Sequence, residues 1–134
     1  MARSLDKTKG AAENPDRPAG NMADDRGGDV IKGTLEMIVL EVLQAEPMHG
    51  WGITERIERR SDGLLSVNQG SLYPTLYRLV ARGWVSSAWR TTENNRAARY
   101  YTITRAGRKR LAAERAQWEK LSRGVGLILA GVRP

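Results

Sequence analysis

Arg96 and Arg99 bracket two alanines in the stretch TTENNRAARYYTIT, Thr91 to Thr104, just after a turn-forming Glu93-Asn94-Asn95 cluster. A guanidinium keeps its charge at any physiological pH and offers a planar fork of donors, so two of them among small side chains suit phosphate oxygens. Asn95 adds an amide beside them. Earlier in the chain, Asn68, Gln69, Ser71 and Thr75 are short polar groups interleaved with Tyr73 and Arg78. That mixture suits recognition of hydrogen-bonding edges, with charge alongside. Catalysis finds no comparable foothold. His49 is the single histidine and there is no cysteine. The acids Glu36, Glu41, Glu46, Glu55 and Glu58 recur at helical intervals without a nucleophile–base pairing, a metal-ligand cluster or a Gly-rich phosphate loop. No catalytic residue, metal or cofactor is expected.

Charge points the same way. The 134 residues carry a formal net charge of +7, which in a small domain argues for a polyanionic partner, nucleic acid or an anionic membrane. Residues 1–28 are neutral, with five cations against five acids, whereas Arg78 to Arg115 holds ten cations against Glu93 and Glu114. No apolar run approaches the roughly 18 residues a spanning helix needs, and the N-terminus has no apolar h-region, so a cytoplasmic protein without membrane insertion is expected. The lack of cysteine removes disulfides and thiolate metal sites and fits a reducing compartment.

The elements that must position these groups follow from periodicity. Residues 1–28 are rich in Gly, Ala, Pro, Asp and Asn and have almost no aliphatic side chains, so they read as a disordered tail. Met22 is close enough to the first apolar segment to be an alternative start. From Thr34, a plausible N-cap, Leu35, Ile38, Val39, Val42 and Leu43 form a helical stripe that Pro47 stops. A second, shorter helix has Ile53 and Ile57 one turn apart, His49 near its start and Gly63 as a stop. Ser66 or Asn68 caps a third, with the stripe Leu72, Leu76 and Leu79 and a stop at Gly83. Pro74 belongs in its first turns or kinks it. Ser71, Thr75, Arg78 and Arg82 are read as the face opposite the leucines.

After Gly83 the period becomes two. Val85, Ser87 and Trp89 share one strand face, Tyr101 and Ile103 one face of the returning strand, and Glu93-Asn94-Asn95 the turn, which places Arg96 and Arg99 on a hairpin tip. Thr104 caps a long last helix in which Leu111, Trp118, Leu121, Val125 and Ile128 fall near heptad a and d positions, Glu114 breaks the seam, and Gly124 and Gly126 weaken the end. The expected fold is mainly α with a small β-hairpin: a winged helix-turn-helix over residues 29–104, then a C-terminal dimerisation helix and tail over 105–134. In that fold the third helix offers Asn68, Gln69, Ser71, Tyr73, Thr75 and Arg78 to double-stranded DNA, and a wing carries Asn95, Arg96 and Arg99 to the backbone or the adjacent minor groove.

The segments GSLYPTLYRLVARGW and NNRAARYYTITRAGRKRL together resemble the PadR family of transcriptional regulators. MHGWGI, ENNR and ERAQWEKL are similar to its acidobacterial-type subgroup. The resemblance spans about residues 32–129 and departs from the usual pattern at Trp51, Val80 and Thr102. It implies a homodimeric repressor joined through its last helix. In some members a ligand lies between the subunits beside a tryptophan of that helix, which here implies Trp118 and a small aromatic effector. A palindromic operator and recognition helices roughly 34 Å apart follow from two-fold symmetry. Bland readings run alongside. Arg82, Arg108, Lys109, Arg110 and Arg115 also suit solvated helix faces, Tyr73 the core, and Tyr100 and Tyr101 strand packing. A basic nucleic-acid or protein interaction module without a defined operator is the alternative function.

Overall fold

The computed structural model of the chain describes residues 28–131. The tail expected over residues 1–28 and the choice between Met1 and Met22 therefore fall, but for Gly28, outside the described residues. Among these residues the elements are α1 (Gly28–Leu43), β1 (Met48–His49), α2 (Gly50–Arg60), α3 (Gln69–Ala81), β2 (Val85–Thr91), β3 (Ala97–Ile103) and α4 (Arg105–Ala130).

Each helix boundary has a local cause. α1 starts at Gly28 rather than at Thr34, which lies well inside it; a single glycine such as Gly33 costs a helix about 1 kcal/mol relative to Ala without ending it. His49 starts α2, its Nδ1 accepting the N–H of Gly52 at 3.1 Å. Of the two candidate caps for α3, Asn68 acts: its Oδ1 accepts the Ser71 N–H at 2.8 Å. Pro74 sits in the second turn and leaves the Gly70 carbonyl without its helical donor. Past α3 the chain must reverse into β2. Gly83, at φ +78°, takes the left-handed conformation, and Trp84 N–H closes the end on the Leu79 carbonyl at 3.0 Å.

The core lies where α1, α2 and α3 meet the base of the sheet. Val39, Leu40, Leu43, Ile53, Leu72, Leu76, Leu79 and Leu111 are buried there with Val85, Tyr101 and Ile103. Full burial of each such aliphatic side chain is worth about 1.5–3 kcal/mol, so the helix-turn-helix is fixed by its leucines and isoleucines. The sheet is antiparallel with order β1-β3-β2. The hairpin register pairs Val85 with Ile103, Ser87 with Tyr101 and Trp89 with Arg99, as alternation requires. β1 adds a third strand that period-two reading missed, because Met48 and His49 are two residues with no alternation to detect.

α4 is anchored at its first turn. Thr104 Oγ1 accepts the Gly107 N–H at 3.0 Å and donates to the Gly83 carbonyl at 2.7 Å, tying the helix start to the end of α3. Gly107 lies so close to the Trp84 carbonyl that a Cβ would collide with backbone. Leu111 is the last buried side chain of α4. Beyond it the helix runs on as an arm, uninterrupted by Gly124 or Gly126, with Trp118, Leu121, Val125 and Ile128 exposed.

Candidate nucleic-acid interface

α3 orients its polar groups differently from expectation. At about 100° per residue, Ser71, Thr75, Arg78 and Arg82 fall roughly a quarter turn from the leucine stripe, on the flank facing α1, and not opposite it. Thr75 is consequently 2% exposed; its hydroxyl donates to the Ser71 carbonyl at 3.0 Å and accepts from Arg78 Nη2 at 3.2 Å. A buried side chain so occupied has no edge to offer a partner, and the expectation for Thr75 is corrected. Arg78 Nε meets Glu36 Oε2 of α1 at 3.0 Å. Asn68 uses its Oδ1 on the cap and stays exposed, while Gln69 and Ser71 are half-buried in the first turn.

The outward face is instead Gly70, Tyr73, Pro74, Tyr77 and Ala81. Tyr77, 78% exposed, dominates it, and sequence reasoning passed it over. Its position was legible: one residue from Leu76 and five from Leu72, it lies on the far side of the helix from the stripe. Tyr73 is divided. Its ring packs over Gly50, where a Cβ would strike the phenol, yet the residue is 46% exposed. Burial raises its pKa above the ordinary 10.0. Tyr101 is raised as well, by burial first and by Tyr73 second, with Arg99 pulling the other way. Both phenols therefore stay neutral donors near pH 7.

The wing is built around Thr92. Its N–H donates to the Arg96 carbonyl at 2.7 Å, its carbonyl accepts from Asn95 N–H at 2.9 Å, and its hydroxyl accepts from Arg96 N–H at 3.2 Å. Asn95 turns the corner at φ +63°, a conformation asparagine tolerates better than most residues. Asn95 and Arg96 are thus at the tip, exposed. Arg99 is exposed but not at the tip: it is the third residue of β3, because the strand begins at Ala97 directly after the turn. Its Nε donates to Ser87 Oγ at 3.1 Å and its guanidinium lies 5.6 Å from the Trp89 ring centre. On the other wing face Arg90 stacks 4.4 Å over Tyr100, whose ring meets His49 edge-on at 5.2 Å. Contacts of this kind hold long cationic side chains along the strand with their polar edges outward. Arg90 was missed as a wing cation; its position in the strand opposite Ala98 was the available signal.

Trp118 is half-exposed on the arm. A cleft of about 340 Å³ between the end of α1 and α4, whose lining includes Gln44, Arg108, Leu111, Arg115 and Glu119, does not include the indole. Among the described residues there is no group of acids and histidine placed to hold a metal, and no helix is long and apolar enough to cross a membrane.

An uncharged helix face beside a cationic hairpin is the geometry of a winged helix that lays α3 in a groove and its wing along phosphates. Comparison with known proteins places that geometry in a lineage. The transcriptional regulator PadR-like family matches residues 39–113, from mid-α1 into α4. A transcriptional regulator of Mycobacterium tuberculosis is 34% identical over 94 residues, 70% of this chain and 84% of its own. Among solved structures, a transcriptional regulator from Clostridium thermocellum superposes with a TM-score of 0.67 at 28% identity, covering 73% of this chain and 95% of the other. A PadR family transcriptional regulator from Eggerthella lenta gives 0.65 at 28% identity, covering 84% and 96%. With the winged helix, the match over more than half its length and relatives that are regulators rather than enzymes, this chain belongs to the PadR-like family of transcriptional regulators.

Proposed function

We propose that the protein is a homodimeric repressor that binds a palindromic operator in the cytoplasm, with Gln69 and Tyr77 of α3 reading base edges and Arg96, Arg90 and Tyr73 holding the backbone. One observation carries the division of labour: the exposed face of α3 has hydroxyl groups and small residues and no cation, while the wing has Arg90, Arg96 and Arg99. Gly70, Pro74 and Ala81 leave α3 flat enough to approach a groove floor closely. The exposed heptad stripe Trp118, Leu121, Val125 and Ile128 supports pairing of two arms, since a single chain leaves that stripe in water. In such a pair, the indole of Trp118 and its symmetry mate would flank a planar aromatic effector at the axis.

Footprinting on the protein's own upstream region locates the operator, and binding isotherms on that fragment and on random duplex across a salt series test the contacts. Arg96→Ala weakens both DNAs and lowers the salt slope by about 0.9. Gln69→Ala and Tyr77→Ala each cost about 1–3 kcal/mol on the operator and little on random DNA. The division fails if Arg96→Ala loses operator binding alone while the helix variants lose both equally.

A further inference from the structure

Glu36 is a carboxylate in an unusual place: on the core side of α1, 7% exposed, with two arginines of α3 converging on it. Arg78 Nε lies 3.0 Å from Oε2 and Arg82 Nη1 3.7 Å from Oε1. Arg78 continues the chain through Thr75 Oγ1 to the Ser71 carbonyl. The network thus runs along the recognition helix from its C-cap to its first turn. Buried ion pairs often contribute little net stability, because desolvation offsets attraction. What this one does without offset is set where the charge points. Arg78 and Arg82 are the only cations of α3 and its C-cap, and both are turned toward α1, away from the face of Tyr73 and Tyr77.

We propose that Glu36 is a positioning residue for sequence discrimination: it draws both guanidinium groups to the α1 flank of α3 and cancels one of their two charges. The reasoning rests on the proposed function, in which the outward face of α3 reads DNA. Base contacts hold the operator complex in one register, whereas random DNA is bound in whichever register suits the cations, so freed cations near a reading face raise binding to random DNA more than to the operator and dilute the preference. A reading helix whose cations are restrained keeps affinity in the wing and preference in the helix.

The test uses Glu36→Gln in the full chain, which keeps the size and an oxygen to accept from Arg78 but removes the charge. Affinities for the footprinted operator and for random duplex of equal length are measured across a salt series, with thermal melting in parallel. Glu36→Gln should bind random DNA about three- to tenfold more tightly at low salt, with a salt slope steeper by up to about 0.9. Operator affinity changes less, so the operator-to-random ratio falls, by up to about tenfold. Glu36→Gln combined with Arg82→Gln restores the ratio, which a merely structural ion pair would not do, since it removes yet another partner. Arg82→Gln alone, on an otherwise intact core, weakens random binding and raises the ratio. The inference is overturned if the ratio survives Glu36→Gln intact, if both DNAs weaken in parallel with a lowered melting temperature, or if Arg82→Gln gives no rescue. A wild-type chain without operator preference would overturn the proposed function and this inference together, whereas a wild-type preference untouched in all three variants overturns this inference alone.

Discussion

Thr104→Ala removes two hydrogen bonds with one hydroxyl, and both lie at the seam between the helix-turn-helix and the arm. The first is the cap on α4, Oγ1 accepting from Gly107 N–H at 3.0 Å; losing such a cap to Ala costs about 1 kcal/mol. The second is the 2.7 Å bond donated to the Gly83 carbonyl. That carbonyl is open to water, which can replace the donor, so its loss adds only about 0.5 kcal/mol. The backbone bond from Thr104 N–H to the Trp84 carbonyl survives. Together the change comes to about 1.5 kcal/mol, or about 6–12 °C in melting temperature for a domain near 100 residues. Thermal and urea melts at one fixed protein concentration measure it, since any association would add stability of its own. Thr104→Ser keeps both bonds and should melt within about 2 °C of the native chain. A loss below about 0.5 kcal/mol for Ala, or a Ser variant as weak as Ala, would refute the assignment of both bonds.

Stability should also fall in alkali. Tyr73 and Tyr101 have folded pKa values above 10.0, so below that pH both states hold their protons and the full stabilisation is present. As pH rises past 10 the unfolded chain releases protons first and stability declines; urea midpoints from pH 8 to 11 would show it, and the combined Tyr73→Phe, Tyr101→Phe variant should flatten the decline. Leu121→Asp places a charge in the exposed stripe of the arm and should yield a monomer by sedimentation at micromolar concentration without moving the far-UV spectrum; a dimer that survives it would place the interface elsewhere.

Much of the architecture could be read from the chain, and what escaped has identifiable physics. Leucine and isoleucine spacing marks the core of α1, α2 and α3 because burial imposes a period of 3.6, and His49, Gly83 and Thr104 mark ends because caps and left-handed turns require particular groups. Thr75 misled because a hydroxyl reads as polar and outward until its bond to the Ser71 carbonyl shows how it is accommodated inside. Arg99 misled because the turn closes at Arg96 through Thr92, one short loop that composition alone does not delimit. In the sequence Glu36 is one of several acids recurring at helical intervals, with nothing to single it out. Its burial depends on two arginines some forty residues away, a pairing that no local pattern encodes.

The arm has a mechanical consequence. From Leu111 to Ala130 the helix rises through 19 residue steps, about 29 Å of rigid rod with no core packed beneath it among the described residues. Pivoting that rod by about 10° at its anchored end displaces the tip by about 5 Å, so a sub-ångström adjustment around Gly107 or Leu111 is geared up several-fold along its length. In two chains paired along their arms as proposed, the gearing runs backward as well: a small wedge driven between the rods near Trp118 would swing the two winged helices apart by a larger step. A spacing tuned to one helical turn of DNA would not survive that swing, so in the proposed dimer the stiffness of α4, uninterrupted at Gly124 and Gly126, would set how far a local event is carried.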